Sequence, residues 1–346
     1  MSRATIKDVA RVAAVSLKTV SRVINNEPKV KESTREKVRA AIEELNYQPD
    51  MSARNLRGNK SYVVGLVYDN PNPYYVVDLQ NGVLKACREL GYNLQIHPCD
   101  ACADNIVDEL CDLVRHSRLA GLVIAPPISE DEAIVSALAD RGIHLVRIVS
   151  ASEAPESTLP CVWVNDREAS HAVTEHLIGM GHTDIAFLSG EEEHHSTYER
   201  FAGYRNALNK HDIPVDESRV IAGAYSFDSG FKRTRQLLKE TCRPTAVFGC
   251  NDEIAAGALA AVQSMGLSVP GDVAIAGFEN SPFSKQAQPP LTTAAQSIGE
   301  IAQQAMTLLV AEMRPQTAET ETVSCAEFIP QLIARPSTDS GSTDAG

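Results

Sequence analysis

The sequence predicts two parts of different class: an all-α helix-turn-helix headpiece over residues 1–49 and, beyond a linker over 50–60, a bilobed α/β domain over 61–336. Three observations carry this. Two short, capped, apolar-periodic segments lie within the first 25 residues. From Tyr62 onward short apolar runs alternate with helical periods, which implies a parallel sheet covered on both faces. That alternation runs twice without close internal repetition, which implies two similar lobes with a cleft between them. The length of 346 residues suits two or three domains.

In the headpiece Thr5 caps a first helix, and Asp8, three residues on, returns the hydrogen bond and sits well at the positive helix end. Ile6, Val9, Ala10 and Ala13 share one face. Ala14-Val15 ends that helix, and Ser16 caps a second one, with Val20, Val23 and Ile24 inward and Leu17, Lys18, Ser21 and Arg22 outward. An ordinary helical hairpin is the bland alternative. The small turn residues, the double capping and the exposed basic residues coincide, which favours a unit whose second helix enters the major groove. Asn25 to Lys31 reads as a loop, and Ser33 with Glu36 reads as a capping box for a third helix buried through Val38, Ala41, Ile42 and Leu45. Tyr47 is expected to pack on that helix, and Pro49 prevents its continuation.

The net charge of −13 at first argues against nucleic acid. Divided along the chain, however, residues 1–60 carry 13 Lys/Arg against 7 Asp/Glu, and the remainder 19 against 38. A basic head on an acidic body directs phosphate contact to one end. No basic-then-apolar leader and no apolar run of spanning length is present, so a cytoplasmic location without a membrane partner is expected. Cys99 and Cys102, with His97, Cys111 and His116 nearby, invite a zinc reading. A structural site needs a second spaced ligand pair, so no metal and no cofactor is assigned, and the eight cysteines are expected to stay reduced.

Strands are expected at Tyr62–Tyr68, Leu94–His97, Gly121–Ala125 and His144–Ile148, then at Ile185–Ser189, Val220–Ala222, Ala246–Phe248 and Val273–Phe278. Helices fall between them, near 75–90, 104–116 and 130–140, then 167–179, 199–210, 229–240 and 252–264. The tail over 337–346, STDSGSTDAG, is low in complexity and expected to be disordered. It lacks leucine heptads.

The run TIKDVARVAAVSLKTVSRVINN closely resembles the opening of the LacI/GalR family of bacterial transcriptional regulators, and the likeness continues through SARNLRG and, more loosely, nearly the whole chain. The resemblance implies double-stranded operator DNA as a partner, met by Thr5, Ser16, Leu17, Lys18, Thr19, Ser21, Arg22 and Asn25 in the headpiece and by Ser52, Arg54, Leu56 and Arg57 in the linker. That linker would be a hinge helix, too short to be stable alone, that folds against its dimer mate, with Leu56 as the wedge that opens a base step. The body would be a periplasmic-binding-protein-like (type I) effector domain, with one lobe over about 61–162 and 295–324 and the other over about 163–291 and 325–336, the chain crossing back near Leu291–Ala295 and again near Cys325.

The same resemblance places effector contacts at Arg200 in YERFAGYR, Asp166 in WVNDREAS, Tyr225 in AYSFDSGF, Asn251-Asp252, and Tyr74 or Tyr75 in NPNPYY. Glu279, in GFENSP, stands where the family usually has Asp, and its extra methylene moves the carboxylate outward. Arg200 has a surface alternative, pairing with Glu199 or with Glu191–Glu193; Asp252 has one as a helix N-terminal charge. His194-His195 reads as a solvated loop.

The leading function is a repressor of carbohydrate-utilisation genes, released from a pseudo-palindromic operator by a small sugar, with a purine or other metabolite as the alternative effector or corepressor. A transporter's solute-binding protein fits the body but not the head. An enzyme is disfavoured because the sequence holds no P-loop, G-x-S-x-G or H-E-x-x-H.

Overall fold

The computed structural model describes residues 4–24, 30–45, 47, 61–70, 72–156, 158–192, 194–314 and 325–339. The chain divides after Tyr62 into two units.

The first unit holds α1 (Ile6–Val12), α2 (Leu17–Ile24) and α3 (Glu32–Glu44). Asp8 accepts from the Thr5 backbone N–H at 3.0 Å, the return half of the expected capping box. Ala14, at φ 52°, takes the left-handed conformation that turns the chain out of α1, and the Val15 N–H closes the turn on the Ala10 carbonyl at 3.0 Å. Val9, Ala10, Ala13, Val20, Val23, Val38 and Ala41 form the core. The third helix starts one residue earlier than its expected cap. Lys31 is the N-cap, without a side-chain bond, and Ser33 and Glu36 lie inside the helix. Arg35, 8 % exposed, donates through Nε to the Val30 carbonyl and ties the preceding loop down.

The second unit begins with β1 (Val63–Tyr68), α4 (Pro73–Leu90), β2 (Asn93–Pro98), α5 (Ile106–Ser117), β3 (Leu122–Ile124), a 3₁₀ turn (Ile128–Glu130), α6 (Glu132–Asp140), β4 (Leu145–Ser150) and β5 (Cys161–Val164). It then enters a second lobe with α7 (Asp166–Gly179), β6 (Ile185–Leu188), α8 (His195–Lys210), β7 (Val220–Ile221), α9 (Phe227–Leu237), β8 (Ala246–Gly249), α10 (Asp252–Ser264), β9 (Ala274–Ala276) and α11 (Pro282–Gln286). The end of the chain supplies β10 (Thr293–Ala295), α12 (Ile298–Glu312), β11 (Cys325–Phe328) and β12 (Gln331–Ile333).

Lobe one is a six-stranded sheet in the order β11-β5-β4-β3-β1-β2, and lobe two a four-stranded sheet in the order β7-β6-β8-β9, with every pair parallel. Parallel strands need helical crossovers, and burial on both faces explains runs such as LVRIVS, in which every residue of β4 is buried. Helix α12 returns to lobe one and packs against α4. A side chain at Gly82 would stand 2.3 Å from the Gly299 carbonyl oxygen, so glycine there is what lets the two helices approach.

The lobe boundaries differ from expectation. β5 extends lobe one to Val164, so the first crossing lies at Asn165. Cys325–Phe328 belongs to lobe one, paired in register with Cys161–Val164, instead of to lobe two. Its CAEF sequence is only half-buried, as suits an edge strand, and this weak apolar signal hid it. β10 and β12 form an antiparallel pair at the crossing.

The expected tail disorder does not begin at Ser337. That residue and Thr338 are 0 % and 4 % exposed. The Thr292 N–H donates to Ser337 Oγ at 2.8 Å, and His176 Nε2 lies 2.7 Å from Thr338 Oγ1. Short polar side chains that look solvated in sequence here cap the β9 edge of lobe two. Residues 340–346 lie outside the described residues.

Candidate functional site

In the headpiece, Ser16 Oγ accepts from the Thr19 N–H at 3.1 Å and fixes the first turn of α2. Leu17 is 43 % exposed and Lys18 is exposed beside it, as is Thr5 at the start of α1; Thr19, Ser21 and Arg22 are half-buried. Asn25, Ser52, Arg54, Leu56 and Arg57 lie outside the described residues.

In the second unit a cavity of about 240 Å³ separates the two lobes. At its centre is Arg200, on α8, only 3 % exposed. Its guanidinium lies 4.0 Å over the Phe278 ring and donates through Nη1 to the Cys250 carbonyl at 2.8 Å. Asp166 Oδ2 stands 3.7 Å from Nη2 and Glu279 Oε1 3.6 Å from Nη1. Burial removes the surface alternative for Arg200, and Glu199 is held instead by Arg167 through two bonds of 2.9 Å.

Asp166 opens α7 at the first crossing and accepts from Ser150 Oγ of lobe one at 2.7 Å. Asn251 caps α10 by accepting from the Ile254 N–H at 2.9 Å, which orients its amide at the cleft wall. Tyr225 lines the opposite side, its hydroxyl 2.8 Å from Thr197 Oγ1; Gly190 lies beneath the ring, where a Cβ would come within 2.1 Å of it. Tyr75 lines the lobe-one side.

Glu279 reaches the cleft despite its unusual length. Its backbone, at φ 103°, and that of Asn280, at φ 56°, occupy the left-handed half of conformational space, which costs about 1–3 kcal/mol each. Strain of this kind persists only where the surroundings over-determine it. The Glu279 N–H donates to the Ala294 carbonyl at 2.8 Å, the Ser281 N–H to Asp252 at 2.7 Å, and Arg335 to Asn280 Oδ1 at 2.6 Å. Glu279 Oε2 then accepts from Asn72 Nδ2 of lobe one at 3.4 Å, across the cleft.

Two expected contacts are corrected. Asp252 does not line the cavity: it is 0 % exposed and accepts from Thr293 Oγ1 and the Ser281 N–H, both at 2.7 Å. It is a post for the Glu279 loop. Tyr74 points away from the cavity, 42 % exposed, with its ring edge-on to Phe283 at 5.5 Å; its neighbour on α4, Tyr75, is the one turned inward. His194 is no solvated loop residue, since it precedes α8, stands 5.7 Å ring to ring from Tyr225 and lines the cleft.

Sequence reasoning also missed Asn72, Glu130, Ser150 and Gln296, which line the cavity from lobe one and the crossing. The capping signature of NPNP was available for Asn72, whose side chain accepts from the Tyr74 N–H at 3.0 Å. The others carry no local signal.

Burial dominates the electrostatics. It pushes the Glu279 carboxyl up to about 8, that of Glu130 to about 7 and that of Asp252 to about 6, and it raises Asp166 as well; the Arg200 charge opposes the rise at Asp166 and Glu279. The Arg200 guanidinium is held firmly charged by Asp166 and its other anionic neighbours despite desolvation. Among the described residues no group of three or more His, Cys, Asp or Glu side chains is placed to hold a metal.

Residues 5–50 match the bacterial regulatory proteins of the lacI family, and residues 174–338 match the periplasmic binding protein-like domain. Catabolite control protein A of Priestia megaterium is 33 % identical over 320 residues, covering 92 % of this chain and 95 % of that protein. The chain belongs to the LacI family. The probable HTH-type transcriptional repressor ExuR of Bacillus subtilis (strain 168) is likewise 33 % identical, over 94 % of this chain and 96 % of its own.

Among solved structures, a transcriptional regulator CelR-cellobiose complex superposes with a TM-score of 0.71 at 28 % identity, covering 97 % of this chain and 100 % of that one. The lac repressor dimer bound to operator and the anti-inducer ONPF gives 0.73 at 27 % identity, over 97 % and 99 %. This LacI-family chain is therefore a DNA-binding transcriptional regulator and not an enzyme, and its effector domain has the type I periplasmic-binding-protein fold. No helix among the described residues is long and apolar enough to cross a membrane.

Proposed function

We propose that the chain is a homodimeric repressor of carbohydrate-utilisation genes, released from a pseudo-palindromic operator by a small sugar held between the lobes. The observation that carries this reading is the polar set around Arg200. Carboxylates at Asp166 and Glu279 accept from hydroxyl groups, the guanidinium fork and the Asn251 amide complete their hydrogen bonding, and Tyr75 and Tyr225 offer faces for the apolar side of a sugar ring. The similar CelR protein was solved with cellobiose, which supports the same class here.

Leu17, Lys18 and Arg22 would read base edges, while Thr5, Ser16, Thr19, Ser21 and Asn25 hold phosphate. Ser52, Arg54, Leu56 and Arg57 would act in the minor groove, with Leu56 as the wedge. Lobe closure on the effector would bias hinge folding and so operator affinity.

Thermal unfolding against mono- and disaccharides, sugar phosphates and purines tests this, because a ligand at 100 times its dissociation constant adds about 2.7 kcal/mol. A saccharide that raises the unfolding temperature and also releases operator DNA in a mobility assay is the expected result. A purine acting alone replaces the effector class, and silence across the panel removes the cleft from the account.

A further inference from the structure

Glu130 ends the 3₁₀ turn of lobe one and faces the cavity opposite Arg200. Its Oε1 accepts from the Ser150 N–H at 2.9 Å, whereas Oε2 is buried and has no hydrogen-bond partner. Among the described residues it forms no ion pair, and the His195 N–H at the start of α8 is the group of lobe two that favours its charge. Among the described residues that line the cavity are five carboxylates, Glu130, Asp166, Glu191, Glu253 and Glu279, against a single guanidinium, Arg200, and one imidazole, His194. That guanidinium already stands within 3.7 Å of both Asp166 and Glu279. Its own Nε is buried without a partner.

A buried acceptor left without a donor is costly, and a ligand that supplies one recovers the loss. An anion brought to the same place meets the surplus carboxylates in a site shielded from water, where like charges repel strongly. Desolvation pushes the Glu130 carboxyl up to about 7 against the opposing backbone N–H groups of Ser150 and His195, with Asp166 and Glu199 adding to the rise.

We propose that Glu130 is a specificity-determining contact that takes a hydrogen bond from the effector, so that the cleft accepts uncharged or amine-bearing polyols and rejects their carboxylated and phosphorylated counterparts. This rests on the carbohydrate reading of the cleft and narrows it. The alternative is that Glu130 merely braces β4 through the Ser150 N–H.

The test uses the full chain and matched sets built on glucose, galactose and mannose, each as the parent sugar, the 2-amino sugar, the uronate and the 6-phosphate, with cellobiose added. Adenosine against AMP serves as a set of another class. Affinities are measured by titration calorimetry at about pH 9, where Glu130 and Glu279 are ionised, for the wild type, Glu130→Gln and Glu130→Asp, and the unliganded melting of each variant reports folding. Glu130→Gln keeps an oxygen for the Ser150 N–H and removes the charge; Glu130→Asp keeps the charge.

In the set that binds, the wild type is expected to prefer the uncharged or amino form over the anionic forms by about tenfold or more. Glu130→Gln is expected to bring that ratio to within about threefold, and Glu130→Asp to retain most of it. An anion that binds the wild type as tightly as its parent overturns the assignment while leaving the carbohydrate reading intact. So does a ratio unchanged in Glu130→Gln, which is what a mere brace would give. Binding confined to adenosine and AMP removes the carbohydrate reading, and the same ratio across that pair then decides Glu130 separately. No binding in any set rejects both.

Discussion

In the headpiece the groups proposed to meet DNA stand in water, with Leu17 43 % exposed and Lys18 exposed beside it, whereas in the cleft Arg200 and Asp166 are 3 % and 1 % exposed. Solvated charges cost little to display and act on a polyanion at some distance, which suits a surface that must meet DNA first through its phosphates. Buried charges are costly, and each must be matched by a partner drawn from elsewhere in the fold. The head therefore depends on a single helix being correctly started, by Ser16, while the cleft depends on two lobes and three crossings being in register. The difference predicts that mutations in the two places fail in different ways.

The sharpest break should come from Arg200→Ala. It leaves Asp166 and Glu279 buried without their cation, so a loss of about 3–5 kcal/mol in unfolding free energy at pH 8 is expected, with loss of the effector response and retention of operator binding. A normal dose response in a reporter assay would take Arg200 out of the site. Next is Asp252→Ala, at a residue that touches no cavity. Removing the acceptor of the Ser281 N–H and Thr293 Oγ1 should cost about 1–3 kcal/mol and weaken effector binding by freeing the Glu279 loop. Unchanged effector affinity in calorimetry would show that the loop holds without its post.

Arg22→Ala sharpens the other side of the comparison. A loss of about 1–3 kcal/mol in operator discrimination is expected, measured as the ratio of operator to random-DNA affinity, with thermal stability of the effector domain unchanged. Equal loss on both DNAs would reassign Arg22 to phosphate.

The same buried carboxylates make stability depend on pH. Glu279, Glu130 and Asp252, at about 8, 7 and 6 in the folded chain against ordinary values of 4.5, 4.5 and 3.8, bind more protons folded than unfolded between about pH 4 and 8. Their contribution to stability is complete below their ordinary values and is lost as pH rises through 6 to 8. The ligand-free effector domain should therefore melt higher at pH 5 than at pH 8, and Glu279→Gln should flatten that slope. The lowered carboxyl of Asp8 in the head acts in the opposite sense, losing its contribution only as pH falls below its ordinary 3.8.

The amino-acid sequence by itself determined the head and the class of the body. Capping residues, the 3.6-residue period and the apolar strand runs all act over a few neighbours, so Thr5, Asp8 and Ser16 and the alternation of strands and helices were legible without a structure. Arg200, Asp166, Tyr225 and Asn251 were legible through the family motifs around them, and the cleft does bring them together.

What only the tertiary structure decided lies in contacts between residues far apart in the chain. Asp252 turns from the cavity because Ser281 and Thr293, 29 and 41 positions away, are folded beneath it. Helix rotation sends Tyr75 inward and Tyr74 out to Phe283, and Cys325–Phe328 joins a strand that passed more than 160 residues earlier. Glu130 has no motif at all. It matters because the fold closes a second lobe over a carboxylate that the local sequence leaves in water, and desolvation is a property of the surroundings that no short stretch of chain encodes.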